Sequence, residues 1–230
     1  MAKAEIPPKP TNSIYVQDYA HVLSDQTKQK INRMGDALQR QTKAQIVVVT
    51  TKTLQEMPIE AYSLEILRQW GVGDRTLNNG VVMLVAVDDK KSRLEIGYGL
   101  EGALPDGKTG EIQDTYMLPY FKAGDYESGI VNGYFALTNI VADEYGVKVA
   151  EQAKPEKAPE PREASFFDTL FTAAGVVGIV ALVLLDFIFF GGRFTTLILA
   201  ILSSRGGRRG GGGGGFGGGS GGGGGSNRGW

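Results

Sequence analysis

Apolar positions recur in three different rhythms along this chain. Residues 45–51 (Gln-Ile-Val-Val-Val-Thr-Thr) and 81–87 (Val-Val-Met-Leu-Val-Ala-Val) are short, continuous and rich in β-branched side chains. Runs of this kind read as strands buried on both faces. Between them, Ile59, Tyr62, Ile66 and Trp70 follow a helical spacing, with Pro58 ahead and Gly71 and Gly73 behind. That pattern predicts a helix over 59–70 ended by glycine. Strand, crossover helix and strand make a right-handed βαβ unit with its two strands parallel. Past a polar turn at Asp88-Asp89-Lys90-Lys91, Leu94, Ile96 and Tyr98 alternate with Arg93, Glu95 and Gly97. Alternation predicts a half-exposed antiparallel strand over 92–98.

The flanks follow the same logic. Residues 14–23 form an extended lead-in, and Ser24 is placed to cap a helix over about 25–41 with Ile31, Met34 and Leu38 on one stripe. Asp106 is placed to cap a helix reaching about Lys122, bent or ended by Pro119. Asp125 starts another, on which Ile130, Tyr134, Leu137 and Val141 share a face and which Gly146 closes. The expected fold is α/β: a central mixed sheet, made of the βαβ unit plus an antiparallel hairpin strand, sandwiched by helices over 12–146. A disordered lead-in covers 1–11.

Beyond 146 the rhythm changes. Residues 147–165 hold prolines among Glu, Lys and Ala, which predicts a solvated linker. Within 166–202, residues 169–190 are almost wholly apolar, long enough for one transmembrane helix. Asp186 is its one charge, near the end. The last segment, 203–230, reads as a disordered Gly/Arg-rich tail, and 17 of the chain's 34 glycines follow residue 205. Arg205, Arg208 and Arg209 place that tail in the cytosol by the positive-inside rule. The folded domain is then extracytoplasmic and the protein single-pass. Ala2-Lys3-Ala4 is similar to the small-x-small pattern of a signal cleavage site.

Charge and composition narrow the chemistry. The first 164 residues carry 19 Lys+Arg against 23 Asp+Glu, and the rest 5 against 2. The acidic domain argues against nucleic acid as a partner. No cysteine is present, so disulfides, thiolate nucleophiles and cysteine metal sites are excluded. His21 is the sole histidine, which excludes multi-histidine zinc sites. The topology sorts the acidic residues onto two rims. Asp88 and Asp89 lie at the carboxyl edge of the parallel pair, where ligands of open sheets commonly sit, although their sequence is also a good hairpin turn. On the opposite rim, Asp74, Asn78 and Asn79 at the entrance to the second strand meet Gly99, Glu101 and Asp106 at the exit of the third. Hard oxygen ligands next to glycine backbone suit Ca²⁺ or Mg²⁺. Asp74, Asn79, Glu101 and Asp106 are therefore the expected metal ligands, with Asp88 and Asp89 as the second choice.

Several stretches match one family. These are Tyr15-Val16-Gln17-Asp18-Tyr19-Ala20 with Leu23-Ser24, Trp70-Gly71-Val72-Gly73, and Asn78-Asn79-Gly80-Val81. Arg93-Leu94-Glu95-Ile96-Gly97-Tyr98-Gly99-Leu100-Glu101-Gly102 and Phe121-Lys122-Ala123-Gly124-Asp125-Tyr126 complete the set. Over about 12–146 the chain resembles TPM-domain proteins, the group that includes thylakoid-lumen photosystem II repair proteins. Its span and glycine-rich tail are similar to the bacterial membrane-anchored branch. The resemblance implies a sheet between helices, calcium binding in some members and acid phosphatase activity in others. Leu104-Pro105-Asp106 departs from the family's Leu-Thr-Asp, keeping the Asp and losing the hydroxyl. The leading expectation is a membrane-anchored module that binds a divalent cation, a membrane-protein partner, or both. The alternatives are a structural accessory factor for a membrane complex and a metal-assisted phosphatase.

Overall fold

The computed structural model of the protein describes residues 6–148, 155–156 and 224–230. Five strands form one mixed sheet in the order β1-β2-β3-β4-β5. β1 is Val16–Asp18, β2 Gln45–Thr51, β3 Gly80–Ala86, β4 Lys91–Ile96 and β5 Gly224–Gly229. β1, β2 and β3 run parallel, and β4 and β5 each run antiparallel to their neighbour. The helices are α1 (Asp25–Thr42), α2 (Ile59–Trp70), α3 (Asp106–Ile112), α4 (Leu118–Lys122) and α5 (Tyr126–Glu144).

The βαβ reading holds: β2 and β3 pair in register from Gln45–Gly80 to Thr51–Ala86, joined by α2. Alternate residues of each strand feed two separate cores, as the period of two requires. Ile46, Val48, Val81, Met83, Val85, Leu94 and Ile96 pack with α1 and α5. Val47, Val49, Val82, Leu84 and Ala86 pack under α2 with Ile59, Tyr62, Ile66 and Trp70. Two of the three predicted caps also hold: Ser24 accepts from the Thr27 amide and Asp125 from the Ser128 amide. The predicted transmembrane run at 169–190 lies outside the described residues, as does most of the predicted linker at 147–165. Among those described, no helix is long and apolar enough to cross a membrane.

Three expectations need correction. First, residues 16–18 of the extended lead-in add a strand, β1, to the edge of the sheet beside β2. Second, β4 is not half-exposed, because every residue after Lys91 is buried. Arg93 and Glu95 face α2 as an ion pair at 2.6 Å, and the Ser63 hydroxyl of α2 donates to Glu95 at 2.9 Å. Burial raises the Glu95 carboxyl, against the pull of Arg93 and Ser63. Alternating polar residues signalled exposure, but a mutually satisfied pair can be buried. Third, the glycine-rich end is not wholly without structure. Residues 224–229 are β5, paired with the whole of β4 from Ile96–Gly224 to Lys91–Gly229.

The helix predicted over 106–122 is broken at one point. Residues 113–117 form a π turn between α3 and α4, closed by the Leu118 amide donating to the Gln113 carbonyl. Pro119 is the physical reason: it has no N–H, and its ring crowds the carbonyl four residues back. Such π turns re-aim side chains relative to a regular helix.

The glycines of the Gly97-Tyr98-Gly99 stretch are needed for close backbone packing. A Cβ on Gly97 would lie 2.3 Å from the Asn78 carbonyl oxygen, and one on Gly99 1.9 Å from that of Leu77. Gly102 has open space around its missing side chain. Gly99→Ala is therefore expected to destabilise the fold by about 1–3 kcal/mol, and Gly102→Ala to change stability by less than about 0.5 kcal/mol. Chemical denaturation of the two variants side by side measures the contrast. Equal losses would contradict the packing role.

Candidate functional site

The structure divides the expected metal ligands into pairs. Asp74 closes its own loop: one carboxylate oxygen accepts from the Thr76 amide at 2.9 Å and the Leu77 amide at 3.1 Å. Those two hydrogen bonds hold its carboxyl below the usual range. Asn79 is fully buried. Its side-chain oxygen accepts from the Asp74 amide, and its amide group donates to the Thr42 carbonyl and the Tyr145 hydroxyl. Asn79 thus ties the entry of β3 to the ends of α1 and α5. Asp89 pins the loop after β2, accepting from the Thr53 hydroxyl and from the Leu54 amide at 2.7 Å. Among the described residues, no three acidic or histidine side chains cluster closely enough to hold a metal ion.

Glu101 and Asp106 do come together. The amide of Gly224 donates to Glu101 at 2.9 Å, and that of Gly225 to Asp106 at 2.7 Å. A Cβ on Gly224 would lie within 3.4 Å of a carboxylate oxygen of each residue. Asp106 is the first residue of α3, while Pro105 occupies the cap position without a side-chain bond. Its carboxylate serves the incoming strand and not its own helix, contrary to the cap reading. This follows from the turn before α3: both carboxylates leave one short loop beside the edge of β4 that pairs with β5.

Sequence reading missed the rest of this site. The π turn sets Gln113 and Asp114 side by side against β5. Gln113 is fully buried, held by the Ser92 hydroxyl at 2.8 Å. It donates to the Ser226 carbonyl at 2.9 Å and to the Ser226 hydroxyl at 2.8 Å. Asp114 takes a two-point bond from Arg228, with Nε at 2.6 Å and Nη2 at 2.9 Å. Hydrogen bonds from Arg228 hold the Asp114 carboxyl below the usual range. Trp230 packs on Phe121 and Tyr126, with ring centroids 4.8 and 6.0 Å away. On the other face of β5, Asn227 donates to Glu60 of α2 at 2.7 Å. A period-two signal was present, since Ser226, Arg228 and Trp230 alternate with Asn227 and Gly229. The surrounding glycines obscured it.

A second hollow, about 370 Å³, opens between the end of α2 and the loop before β3. Arg68, Arg75, Asp74 and the exposed Tyr98 line it. It is shallow and holds no buried polar group aimed into it.

Comparison with known proteins agrees with this architecture. The model of the TPM domain matches residues 16–140. A solved N-terminal domain of a protein from P. gingivalis is 30% identical, with a TM-score of 0.56 over 62% of this chain and 96% of that one. The BA42 protein of Bizionia argentinensis is 20% identical, covering 60% of this chain and 90% of its own, with a TM-score of 0.45. The N-terminal domain of cg2496 from Corynebacterium glutamicum is 14% identical, covering 68% and 95%, also at 0.45. No curated protein matches the chain.

The ion pair sets a pH dependence. A carboxyl lowered in the folded state contributes stability above its unfolded value, and that contribution is lost as pH falls through the lowered one. Asp114 is lowered by Arg228, so β5 is expected to stay docked at neutral pH and to loosen below the ordinary carboxylate range. Trp230 fluorescence, followed in a Trp70→Phe background, reads the release. Asp114→Asn should loosen β5 already at neutral pH; an unchanged profile in that variant would remove Arg228–Asp114 as the cause.

Proposed function

The chain belongs to the TPM-domain family, and we propose that it is a membrane-attached module that works by binding. Its binding surface is the carboxylate pair Glu101 and Asp106 together with the edge of β4. The observation that carries this reading is the convergence of both carboxylates on one stretch of extended backbone. Two negative groups at a sheet edge are good acceptors for backbone amides, and charge-assisted bonds of this kind are stronger than neutral ones. The apolar run at 169–190 supplies the membrane attachment, and a membrane protein is the partner expected for a domain tethered there.

The same pair provides hard oxygen ligands for Ca²⁺, or less readily for Mg²⁺. Calcium takes roughly six to eight oxygens; two carboxylates supply up to four, leaving the remainder to water or a partner. Cation and backbone amides therefore compete for the same oxygens. Asp74, Asn79 and Asp89 are committed to hydrogen bonds that hold the surrounding backbone and take no part.

Calcium titration of the full chain by calorimetry tests the reading. Asp106→Asn is expected to weaken calcium binding on the order of tenfold, and Asp88→Asn to leave it unchanged. Calcium binding that ignores Asp106→Asn would remove the cation from the proposal. Metal-dependent hydrolysis of a simple phosphomonoester, lost in Asp106→Asn, would overturn the binding reading in favour of an enzyme.

A further inference from the structure

We propose that the groove along β4 is a peptide-binding site for a carboxy-terminal strand of the form Gly-Gly-Ser-Asn-Arg-Gly-Trp, and that the chain's own terminus is its reversible occupant. The proposal deepens the reading of Glu101 and Asp106 as a binding surface, because those carboxylates form one end of the groove. The occupant is a segment of the same molecule, so the domain and residues 224–230 share one compartment.

The groove reads its ligand at successive positions. At the entrance, Glu101 and Asp106 hold two consecutive amides. At the second position only glycine fits: Gly225 has φ 151°, and a Cβ there would lie 2.1 Å from the Leu94 carbonyl oxygen. At the third, the fully buried Gln113 bonds both the backbone and the hydroxyl of Ser226. At the fifth, Asp114 grips the Arg228 guanidinium in a fork. Gly110 of α3 leaves the room, since a Cβ there would lie 2.5 Å from Nη2 of Arg228. At the end, Phe121 and Tyr126 receive the Trp230 ring. A buried amide, an ion pair and an aromatic seat along a sheet edge combine backbone pairing for affinity with side-chain pockets for specificity.

The strand behaves as a ligand because the domain is complete without it. The P. gingivalis structure is an isolated N-terminal domain, nearly all of which this chain matches over 62% of its own length. Both hydrophobic cores close within residues 6–147, with Trp230 only at the margin of one. The sequence leading into β5 is almost all glycine, so little opposes release or return. Tethering replaces a second-order association by an intramolecular one, which favours the chain's own terminus over an external peptide. The shared compartment follows from connectivity. A single membrane crossing between residues 148 and 224 would put the domain and the tail on opposite sides, where β4 and β5 could not pair. The proposal therefore requires the domain and residues 224–230 to face the same side of the membrane, in place of the expected external domain and cytosolic tail.

Two measurements on the membrane-attached chain decide the proposal. In the first, the chain ending at Gly223 is titrated with a fluorescent Gly-Gly-Ser-Asn-Arg-Gly-Trp peptide, after its thermal melt shows it folded. Saturable binding is expected, on the order of tenfold tighter than to the intact chain. Peptides carrying the Gly225→Ala, Arg228→Ala or Trp230→Ala change are expected to lose on the order of tenfold or more. No saturable binding to the folded truncated chain, or equal binding of all peptides, overturns the site. In the second, Lys91→Cys with Gly229→Cys is introduced into the intact chain, which has no cysteine of its own. These positions face one another across β4 and β5. Oxidation in native membranes is expected to form a disulfide within one molecule. Disulfide-linked dimers, or no disulfide with the two positions labelled from opposite sides, overturn occupancy by the chain's own terminus. Neither measurement uses calcium, so loss of the cation reading leaves both outcomes intact.

Discussion

A strand buried on both faces carries a row of backbone amides and carbonyls along its outer edge, and those groups need partners. β4 is such a strand. α2 covers one face, Leu94 and Ile96 on the other pack into the core with α1 and α5, and α3 lies beyond the edge against β5, so the edge opens into a groove and not onto a broad solvent face. The Arg93–Glu95–Ser63 cluster makes the burial possible, because it lets two charged side chains lie beneath α2 with their bonds satisfied. Once β4 is buried, its edge offers a place for a further strand, and β5 fills that place over six residue pairs. The position of α3, the π turn and the two carboxylates all concern the rim of this groove.

The Gly97–Gly102 stretch connects the edge to the rim. Gly97 and Gly99 let the exit of β4 pass against the carbonyls of Leu77 and Asn78. That contact fixes where the following turn lies and therefore where Glu101 and Asp106 point. Asp74 and Asn79 contribute indirectly by bracing the loop against which the glycines pack. Asp74 and Asn79 thus brace a loop, while Glu101 and Asp106 meet the amides of β5. They share a rim because they share a backbone contact, and their oxygens serve different bonds.

Much of the fold was legible because its signals are local. β2, β3 and α2 follow from uninterrupted β-branched runs and a helical stripe, and Ser24 and Asp125 cap as their positions require. Three features were not legible, each for a physical reason. The polar alternation of β4 indicated exposure, but Arg93 and Glu95 neutralise one another when buried. Asp106 looked like a helix cap because it stands at a helix start, yet a nearer acceptor role was set by a strand more than a hundred residues away. β5 lay in a stretch whose composition disfavours strands, since glycine contributes no side chain and loses the most entropy on ordering. It pairs because the edge of β4 supplies the backbone partners and three alternating side chains supply the grip.

The glycine tract and the terminal heptapeptide therefore have separable physical roles. The entropic cost of closing a flexible loop grows only slowly with its length, by about 0.6 kcal/mol for each doubling. Lengthening or shortening the tract is therefore expected to change docking little. Docking is decided instead by what the last residues carry. Gly225 admits the close approach to β4, Ser226 meets the buried amide of Gln113, Arg228 meets Asp114, and Trp230 supplies apolar area against Phe121 and Tyr126. Ser226, Arg228 and Trp230 stand at a spacing of two, which an extended strand presents to one face. A tail built for disorder alone would have no need of that spacing.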